Sequence, residues 1–418
     1  MIWQGERVAA GFFGKLKKFN WLMFGAMISL IAIGTIAIWS SGNARAEAIF
    51  HDKWISNVVT ALFGLLLYFF FAFTDYRKIF SIFAVPAYIL SIVFLIAVLI
   101  FGSTVLGGKR WLWFFQPSEV SKLCILSLVA VLFGNAQSRV ARFKHTFKGF
   151  LFSALVIGVP CFLILEEPDL GTTLVLVPAT GVMLFVAGVW RRGLAVVTAL
   201  ALALALGVLG AVYEAEKPGV TPERRERILK ILPLRPHQVK RVKVFLFPED
   251  DPRGAGYNLI QAKITIGSGG MSGKGIGKGE MNALKYLPQA ISMNDFIFCV
   301  WAEETGFLGS LVLISLFAML LLPCCWIALC SSDERGRLFS LGFATLIFAH
   351  TYINVAMSIG LVPITGLPLP FISSGRTFLI VIMCGFGMVQ SIAVHRGDDD
   401  NRIFSRRSSS SPDEGNML

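Results

Sequence analysis

The sequence predicts an all-α polytopic membrane protein with about ten transmembrane helices and one long extracytoplasmic loop between the seventh and eighth. Hydrophobic residues make up 55% of the 418-residue chain and charged residues only 15%. A soluble chain of this length needs more charge to cover its surface. The apolar residues also gather into runs of about 20, the length that a helix needs to cross a membrane.

Ten apolar runs predict the membrane-spanning helices. They cover residues 20–40, 54–73, 79–101, 118–135, 148–165, 170–189, 193–213, 296–322 or slightly longer, 338–362 and 374–395. The first run is too long for a signal peptide, although Ala44-Arg45-Ala46 resembles a cleavage site, so we expect an uncleaved span. The runs divide the chain into a cytoplasmic segment (1–19), a membrane domain (20–395) and a polar tail (396–418) that we expect to be disordered and cytoplasmic.

Lys and Arg in the short connections predict that both termini are cytoplasmic, because cytoplasmic loops carry an excess of basic residues. With the N-terminus inside, the cytoplasmic connections hold Arg7, Lys15, Lys17, Lys18, Arg77, Lys78, Arg139, Arg142, Lys144, Lys148, Arg191, Arg192, Arg335 and Arg337. The short outer connections hold at most Arg45, Lys53, Lys109, Arg110 and Arg376. The net charge of +12 is therefore explained by these loops and by anionic headgroups, and nucleic acid is not an expected partner.

The long outer segment, 214–295, contains a basic stretch, RRERILKILPLRPHQVKRVKVFLF, that mixes Lys and Arg with apolar residues. This composition is typical of an amphipathic segment on a headgroup surface, and a solvated loop is the alternative. The seven cysteines lie in or at the end of apolar runs and lack the spacing of a zinc site. We therefore expect buried thiols and no disulfide framework.

Ionisable residues near the ends of the apolar runs are the candidate functional residues, because such groups at membrane depth are usually functional. In GGKRWLWFFQPSEVSKL, Arg110 lies at an outer interface, and Ser118 is predicted to N-cap the fourth span. Glu119 then lies in the first turn and can pair with Lys122 three residues on. A structural ion pair and a direct substrate role both stay open for these two residues.

Two further motifs on the outer side carry charge. In EEPDLGTTL, the spacing of Asp169 to the amide of Thr172 favours an N-cap over a catalytic role. The glycine-rich QAKITIGSGGMSGKGIGKG departs from the Walker A pattern, because Ser268 and Gly275 replace the residues that it requires. Contact of its amides and Lys274 with a lipid-linked pyrophosphate and a purely conformational role are the two alternatives.

The stretch LPQAISMNDFIFCVWAEETGFLG places acids at the start of the eighth span. Asn294 or Asp295 is predicted to cap the helix that begins at residue 296, and Asp295 is equally suited to act as a general base. Glu303 lies about 12 Å deeper and about 80° around the helix, so it and Asp295 do not act on one atom.

Glycines in the same span and in the last outer loop predict irregular backbone. Gly306 and Gly309 are predicted to break the eighth helix and let Glu303 and Glu304 reach solvent. The prolines and glycines of NVAMSIGLVPITGLPLPFISSGRTF predict an irregular loop at membrane depth. Such a loop is tolerated only inside protein or beside a water-filled cavity, so we expect a cavity near the outer leaflet.

Four stretches together resemble the SEDS family (shape, elongation, division and sporulation) of integral-membrane peptidoglycan glycosyltransferases. In order they are KRWL…QPSEVSK, EEPDLGTT, GAGYNLIQAKITIGSGGMSGKG with LP…NDFIFCVWAEETGF, and GLVPITGLPLPFISSG. The chain is more similar to the elongation-type than to the division-type members. The resemblance implies ten spans in the bacterial cytoplasmic (inner) membrane and polymerisation of undecaprenyl-linked lipid II into β-1,4 glycan strands at its outer face.

The resemblance also implies roles for particular residues. Asp295, in the DFIF motif, corresponds to the critical aspartate of the family, and Glu119 and Lys122, in PSEVSK, correspond to its important acid and base. Asp169 and Arg110 occupy the PDLGT and RW positions. The chain departs from the family pattern at Asn294, where a threonine is usual, and at Arg376, where a small residue is usual.

A class B penicillin-binding protein that acts as transpeptidase, the elongation machinery and membrane lipids are the partners that the resemblance implies. A divalent cation, Mg or Mn, is the cofactor that it makes plausible, although the sequence shows no preformed carboxylate cage. No organic cofactor is expected.

The resulting hypothesis is that Asp295 takes the proton from the 4-hydroxyl of the acceptor sugar. Arg110, Lys122, Lys274 or a metal would then balance the charge of the departing pyrophosphate. Two alternatives are a flippase for lipid-linked precursors and a non-catalytic scaffold for a transpeptidase. Transporters often show inverted repeats and none is visible here, whereas a scaffold would tolerate substitution of Asp295.

Overall fold

The computed structural model describes residues 14–43, 52–105, 108–112, 115–135, 138–217, 219–232, 234–252, 254–280 and 292–396. The N-terminal residues up to 13, the Ala44-Arg45-Ala46 site and the predicted disordered tail beyond residue 396 lie outside these ranges.

The first eight helices carry seven of the predicted spans. They are α1 (Trp21–Asn43), α2 (Lys53–Phe73), α3 (Tyr76–Phe101), α4 (Pro117–Gly134), the short α5 (Arg139–Phe143), α6 (Phe147–Glu166), α7 (Leu170–Val186) and α8 (Arg191–Ala215). A two-stranded antiparallel hairpin, β1 (Ser103–Val105) and β2 (Gly108–Trp111), lies between α3 and α4. This hairpin was not predicted from the sequence.

The remaining helices build the long loop and the last three spans. They are α9 (Pro222–Ile231), α10 (Pro236–Leu246), α11 (Ala255–Ser268), α12 (Ile297–Leu329), α13 (Glu334–Ser358) and α14 (Arg376–Val394). Within the described residues, nine helices are long and apolar enough to cross a membrane, and α7, with 17 residues, is a shorter apolar helix. Each of the ten predicted runs is therefore confirmed as a helix, and the chain is a multi-pass all-α membrane protein.

The spans differ in how much of their surface the protein covers. In the most apolar stretch of α14 83% of the residues are buried, against 11% in α8, so α14 lies inside the bundle while α8 exposes almost its whole surface. Close contact between α2 and α14 depends on glycine: a Cβ on Gly64 would lie 2.4 Å from Met383 Sδ, and one on Gly387 would lie 2.6 Å from Tyr68 O.

The long loop is folded against the bundle by ion pairs. Lys243 of α10 pairs with Glu216 at 3.0 Å, and Arg235 at the start of α10 pairs with Glu166 at the end of α6 at 2.8 Å. Val244 of α10 is buried, whereas no residue of α9 is buried. The basic stretch therefore forms two helices of different burial, of which α10 is held to the ends of α6 and α8.

The eighth span is interrupted at Gly306, as predicted, and continues as a helix through Gly309. Gly306 has φ 68° and ψ −163°, which favours glycine. The glycine-rich stretch 269–280 docks on this interruption: Phe307 N donates to Gly270 O at 2.9 Å and Lys274 N donates to Glu303 O at 3.0 Å. We call this contact the glycine clasp.

Candidate active site

Asp295 lies in the turn before α12, and its carboxylate is not the cap of that helix. The helix begins at Ile297 with Phe296 as N-cap and no side-chain cap bond. The predicted cap by Asn294 or Asp295 is therefore wrong. The side chain of Asn294 instead accepts a bond from Ser374 Oγ at 2.5 Å, so this turn is bound to the last outer loop rather than to the amides of α12.

The last outer loop, 359–375, packs against the turn that holds Asp295. Its backbone is irregular, as predicted. Asn354 Nδ2, near the end of α13, donates to Asp295 O at 2.9 Å and to Leu367 O at 2.7 Å, which fixes the turn against the loop. Gly366 has φ +75°, and a Cβ there would lie 3.5 Å from Asp295 Oδ2. The carboxylate therefore lies next to the backbone of Gly366, where no side chain intervenes, and Asp295 is half-buried.

Two arginines from distant segments face this carboxylate. Arg110 of β2 donates through Nε to Glu167 O at 3.3 Å and through Nη2 to Pro168 O. Arg241 of α10 donates through Nη1 to Thr365 O at 3.0 Å. Carbonyl oxygens fix both guanidinium groups without neutralising them, so both keep their charge beside Asp295.

The pKa of Asp295 reflects opposing effects. Removal from water raises its pKa to about 6, and the positive charges of Arg241 and Arg110 limit that rise. Burial and the charge of Arg110 lower the pKa of Arg241, and the charges of Asp295 and Asp169 oppose this change. A carboxyl group with a pKa near 6 is mostly ionised at neutral pH and still accepts a proton readily, which suits a general base.

Glu167 is a second carboxyl group at this end of the bundle. Its side chain is fully buried, and among the described residues no group donates a hydrogen bond to either carboxyl oxygen. Burial raises its pKa to about 8, Asp169 adds to the rise and Arg110 opposes it. Glu167 is therefore mainly protonated at neutral pH, whereas Asp295 is mainly ionised.

Asp169 caps α7, as its spacing predicts. Its Oδ1 accepts from Thr172 N at 3.1 Å and its Oδ2 from Thr172 Oγ1 at 2.9 Å. Gln116 Nε2 also donates to Oδ2, at 3.3 Å. With three donors around it, Asp169 holds the start of α7 and α4 together.

Glu119 and Lys122 form the predicted ion pair inside the bundle. Their side chains are 5% and 1% exposed, and Lys122 Nζ lies 2.7 Å from Glu119 Oε2. Lys122 Nζ also lies 3.0 Å from His350 Nε2 and 5.0 Å from the ring centre of Phe378. The ammonium therefore has a carboxylate, an imidazole and an aromatic face around it, which is the surrounding that a buried cation needs.

The predicted cap of α4 is wrong, although Glu119 does lie in the first turn. The helix begins at Pro117 with Gln116 as N-cap and no side-chain cap bond. The side chain of Gln116 donates to Ser118 Oγ at 3.1 Å and to Asp169, so it links two helices instead.

Lys274 belongs to a different cluster, at the glycine clasp. Its Nζ lies 2.8 Å from Glu303 Oε1 and 3.4 Å from Glu280 Oε2. The bond to Glu303 is the main cause of the raised pKa of Lys274. Glu303 and Glu304 are 0% and 3% exposed, so the prediction that they reach solvent is wrong: the clasp covers them, and Ser40 Oγ donates to Glu304.

Comparison with known proteins gives the family. A family model for the FtsW/RodA/SpoVE cell cycle proteins matches residues 20–398. The chain belongs to this family. It is 36% identical to the peptidoglycan glycosyltransferase MrdB of Escherichia coli K12 over 74% of this chain and 77% of that protein. It is 28% identical to RodA of Treponema pallidum over 90% and 98%, and 30% identical to a probable FtsW of Trichlorobacter lovleyi over 91% and 94%.

Two solved structures share the fold of this SEDS protein. A chain of a peptidoglycan synthase complex, described as coordinating polymerization and crosslinking, superposes with a TM-score of 0.68 at 29% identity, over 91% of this chain and 99% of that one. RodA of Thermus thermophilus superposes with a TM-score of 0.62 at 25% identity, over 91% and 98%.

A metal centre does not follow from the side chains of this SEDS protein. Among the described residues, no group of three or more His, Cys, Asp or Glu side chains could hold a metal ion. The charged groups that act on the pKa of Asp295 are the cations Arg241 and Arg110, and both would repel a metal ion. The described residues therefore do not fit the predicted divalent cation.

Sequence reasoning missed Arg241 and His350. Arg241 lay in a basic stretch that predicted a membrane-surface segment, and the signal for its inward position was its spacing of three from the buried Val244 on one helix face. His350 is a lone histidine in an apolar run. Its partner Lys122 is 228 residues away, a distance over which local spacing gives no signal.

Proposed function

We propose that this SEDS protein polymerises lipid II into glycan strands for cell elongation, with Asp295 as the general base. Its family and its named relatives make it a peptidoglycan glycosyltransferase. The observation that carries the assignment is the environment of the Asp295 carboxylate, which has a pKa of about 6 and lies next to Gly366. The charges of Arg110 and Arg241 act on it, and within the described part of the chain these two guanidinium groups bind only carbonyl oxygens.

In the proposed reaction, Asp295 accepts the proton of the 4-hydroxyl group of the acceptor sugar. The oxygen then attacks the anomeric carbon of the lipid-linked chain, a new glycosidic C–O bond forms, and the bond to the pyrophosphate breaks with inversion. The electron pair of that bond leaves with undecaprenyl pyrophosphate. Arg110 and Arg241 are placed to stabilise the developing negative charge, a function typical of preorganised arginines.

Glu119, Lys122 and Asp169 support this site from inside the bundle. Asp169 holds α4 and α7 together, and Lys122 fixes Glu119 in the first turn of α4. We assign them positioning roles, because Asp169 and Lys122 each have several partners within the protein and Glu119 pairs with Lys122. Lys274 stabilises the glycine clasp in this proposal, since Glu303 and Glu280 share its charge.

We place the site at the outer face of the cytoplasmic membrane, with both termini in the cytoplasm, because most short-loop Lys and Arg lie at the other end of the spans. A class B penicillin-binding protein is the proposed partner. The superposition on a chain of a synthase complex that coordinates polymerization and crosslinking supports this pairing.

The test is strand synthesis from lipid II by the purified protein with its transpeptidase partner, followed on gels. Asp295→Asn should lower the rate by about 10²–10⁴-fold, the usual contribution of a general base. Glu249→Gln, which changes an exposed carboxylate of the long loop, should leave the rate unchanged. Synthesis by Asp295→Asn at the wild-type rate would refute the assignment and favour a scaffold. If synthesis required lipid II to cross the bilayer first, the flippase alternative would gain support.

A further inference from the structure

A cavity lined by basic and aromatic side chains lies at the end of the bundle opposite Asp295. It has a volume of about 440 Å³ and is lined by His145, Gly188, Trp190, Arg191 and Arg192. His145 lies before α6, Gly188 and Trp190 lie between α7 and α8, and the two arginines begin α8. The other ends of α6 and α7 adjoin Arg110 and Asp169. Since α6 has 20 residues, about 30 Å separates the cavity from the candidate active site.

Two hydrogen bonds, one from a side chain and one from the backbone, hold the two connections of this cavity together. His145 Nδ1 donates to Gly188 O at 2.5 Å, and Trp190 N donates to Lys144 O at 3.2 Å. Gly188 has φ +76°, and a Cβ there would lie 3.1 Å from the imidazole of His145. A side chain at this position would strain the backbone and crowd His145, so the connection favours glycine here.

The cavity is cationic and has no acidic neighbour along its own segments. The chain contains no Asp or Glu between residues 138 and 165 or between 170 and 213. Arg191 and Arg192 are both exposed, and no carboxylate of the described residues pairs with either. Arg191 lies over the ring of Phe185 at 5.5 Å, a contact that directs the guanidinium group and leaves its charge unneutralised.

An indole lies beside the two arginines. The ring of Trp190 packs edge-on against Phe147 at 5.4 Å and against Phe150 at 5.6 Å. Tryptophan is enriched at the boundary between hydrocarbon and headgroups, which places this cavity at headgroup level. A cation pair next to an interfacial indole matches the phosphate and the adjoining glycerol of a phospholipid.

We propose that this cavity binds the headgroup of an anionic phospholipid such as phosphatidylglycerol. Arginine binds phosphate oxygens in pairs, and an anionic leaflet supplies the ligand at high local concentration. The volume of about 440 Å³ is much larger than a bare phosphate ion needs and falls within the range of small-molecule sites. The site would anchor the α6 and α8 ends to one leaflet while catalysis takes place at the other.

Native mass spectrometry of the full-length protein, released from mixed vesicles of phosphatidylglycerol and phosphatidylcholine, tests the proposal. The wild type should retain phosphatidylglycerol in preference to phosphatidylcholine. The double variant Arg191→Gln, Arg192→Gln should lower that retention by on the order of tenfold. The matched control, Arg139→Gln with Arg142→Gln, removes two charges from the neighbouring α5 and should change retention less than twofold.

Three outcomes would overturn the proposal. An equal loss of phosphatidylglycerol retention in the Arg139→Gln, Arg142→Gln control would show that the lipid responds to the overall positive charge of this end of the protein and not to a specific site. Equal retention of the two lipids would show that the headgroup charge is not recognised. Displacement of the lipid by millimolar inorganic phosphate would identify free phosphate as the ligand. Strand synthesis and thermal unfolding of both double variants establish that they are folded, since neither pair touches Asp295.

Discussion

At the scale of single residues, Asp295 and Glu167 show how one physical effect gives two protonation states. Loss of water raises both pKa values, to about 6 and about 8 respectively. Two arginines oppose the rise in the pKa of Asp295. Only Arg110 opposes the rise in the pKa of Glu167, and the charge of Asp169 raises that pKa further. The charge distribution around the two carboxyl groups therefore separates a base from a neutral acid.

The role of Arg241 leads to a prediction about pH dependence. A base with a pKa of about 6 gives a rate that falls as the pH drops through 6. Arg241 lowers the pKa of Asp295, so Arg241→Gln should raise that pKa and move the acid limb of the rate profile to higher pH. The rate at its plateau should also fall about tenfold or more, because a cation facing the leaving group is lost.

Arg235→Gln is the matched control for this prediction. It removes an arginine from the start of the same helix whose partner is the half-exposed Glu166. Its acid limb should stay at the wild-type position in single-turnover measurements between pH 5 and 8. An unshifted limb in Arg241→Gln would contradict the electrostatic coupling of Arg241 to Asp295.

Glu167 leads to a prediction about stability. Its pKa is about 8 in the folded protein, above the ordinary value of 4.5, so the folded chain holds a proton that the unfolded chain releases. Stability therefore falls as the pH rises from about 4.5 to 8, by on the order of 1 kcal/mol per pH unit at most. Glu167→Gln mimics the protonated acid and should lack this dependence.

Thermal unfolding in detergent between pH 5 and 9 checks the prediction. The melting temperature of Glu167→Gln should exceed that of the wild type by an amount that grows with pH. If Glu167 instead formed an ionised pair with Arg110, the variant would be the less stable protein at pH 8. Strand synthesis at pH 7 should remain within about twofold of the wild-type rate, since the acid is already neutral there.

At the scale of elements, the glycine clasp is the feature that gives α12 its interruption. A Cβ on Gly306 would lie 2.4 Å from Gly273 N, and one on Gly273 would lie 2.2 Å from Glu304 O. Both residues have positive φ. Gly306→Ala should therefore destabilise the protein by about 2 kcal/mol or more, through steric overlap and backbone strain.

The matched control is Gly267→Ala in α11. This glycine is helical and a Cβ there meets nothing within 4 Å, so the substitution should be neutral or slightly stabilising. The midpoint of thermal unfolding in detergent compares the two variants. A Gly306→Ala protein that melts with the wild type would show that the clasp does not restrain α12.

The helices could be predicted from sequence far better than the site. Ten apolar runs gave ten helices, because the membrane imposes a length and a composition that a single sequence displays. The cap of α7 by Asp169 and the pair of Glu119 with Lys122 were also predicted, since both are local. The cap at Ser118 failed because α4 begins one residue earlier, at Pro117, which places Ser118 inside the first turn. The cap at Asn294 failed because Ser374 of the last outer loop binds its side chain.

The arrangement around Asp295 could not be predicted from spacing. It unites β2, α10, the turn before α12 and the last outer loop, which are far apart along the chain. Local propensity has no access to such contacts, whereas the resemblance to a family identified Asp295 without explaining its environment. The structure supplies that explanation through Arg241, whose position depends on the folding of the long loop.

At the scale of the whole molecule, the charge asymmetry of the loops predicts the orientation in the membrane. Basic residues concentrate at the end that carries Arg142 and Arg191, opposite Asp295. Insertion follows this asymmetry, so the end with Arg142 should face the cytoplasm and the long loop should face outward. The proposed reaction requires this orientation, because it places Asp295 at the outer face.

Labelling of single introduced cysteines tests the orientation. The long-loop variant Glu249→Cys should react with a membrane-impermeant maleimide in spheroplasts, and Arg142→Cys should react only after permeabilisation. Both positions are exposed, whereas the seven native cysteines are buried or half-buried, so background labelling of the wild type should be low. The reverse pattern would put Asp295 on the cytoplasmic side, and lipid II presented at the outer face could then not reach the proposed base.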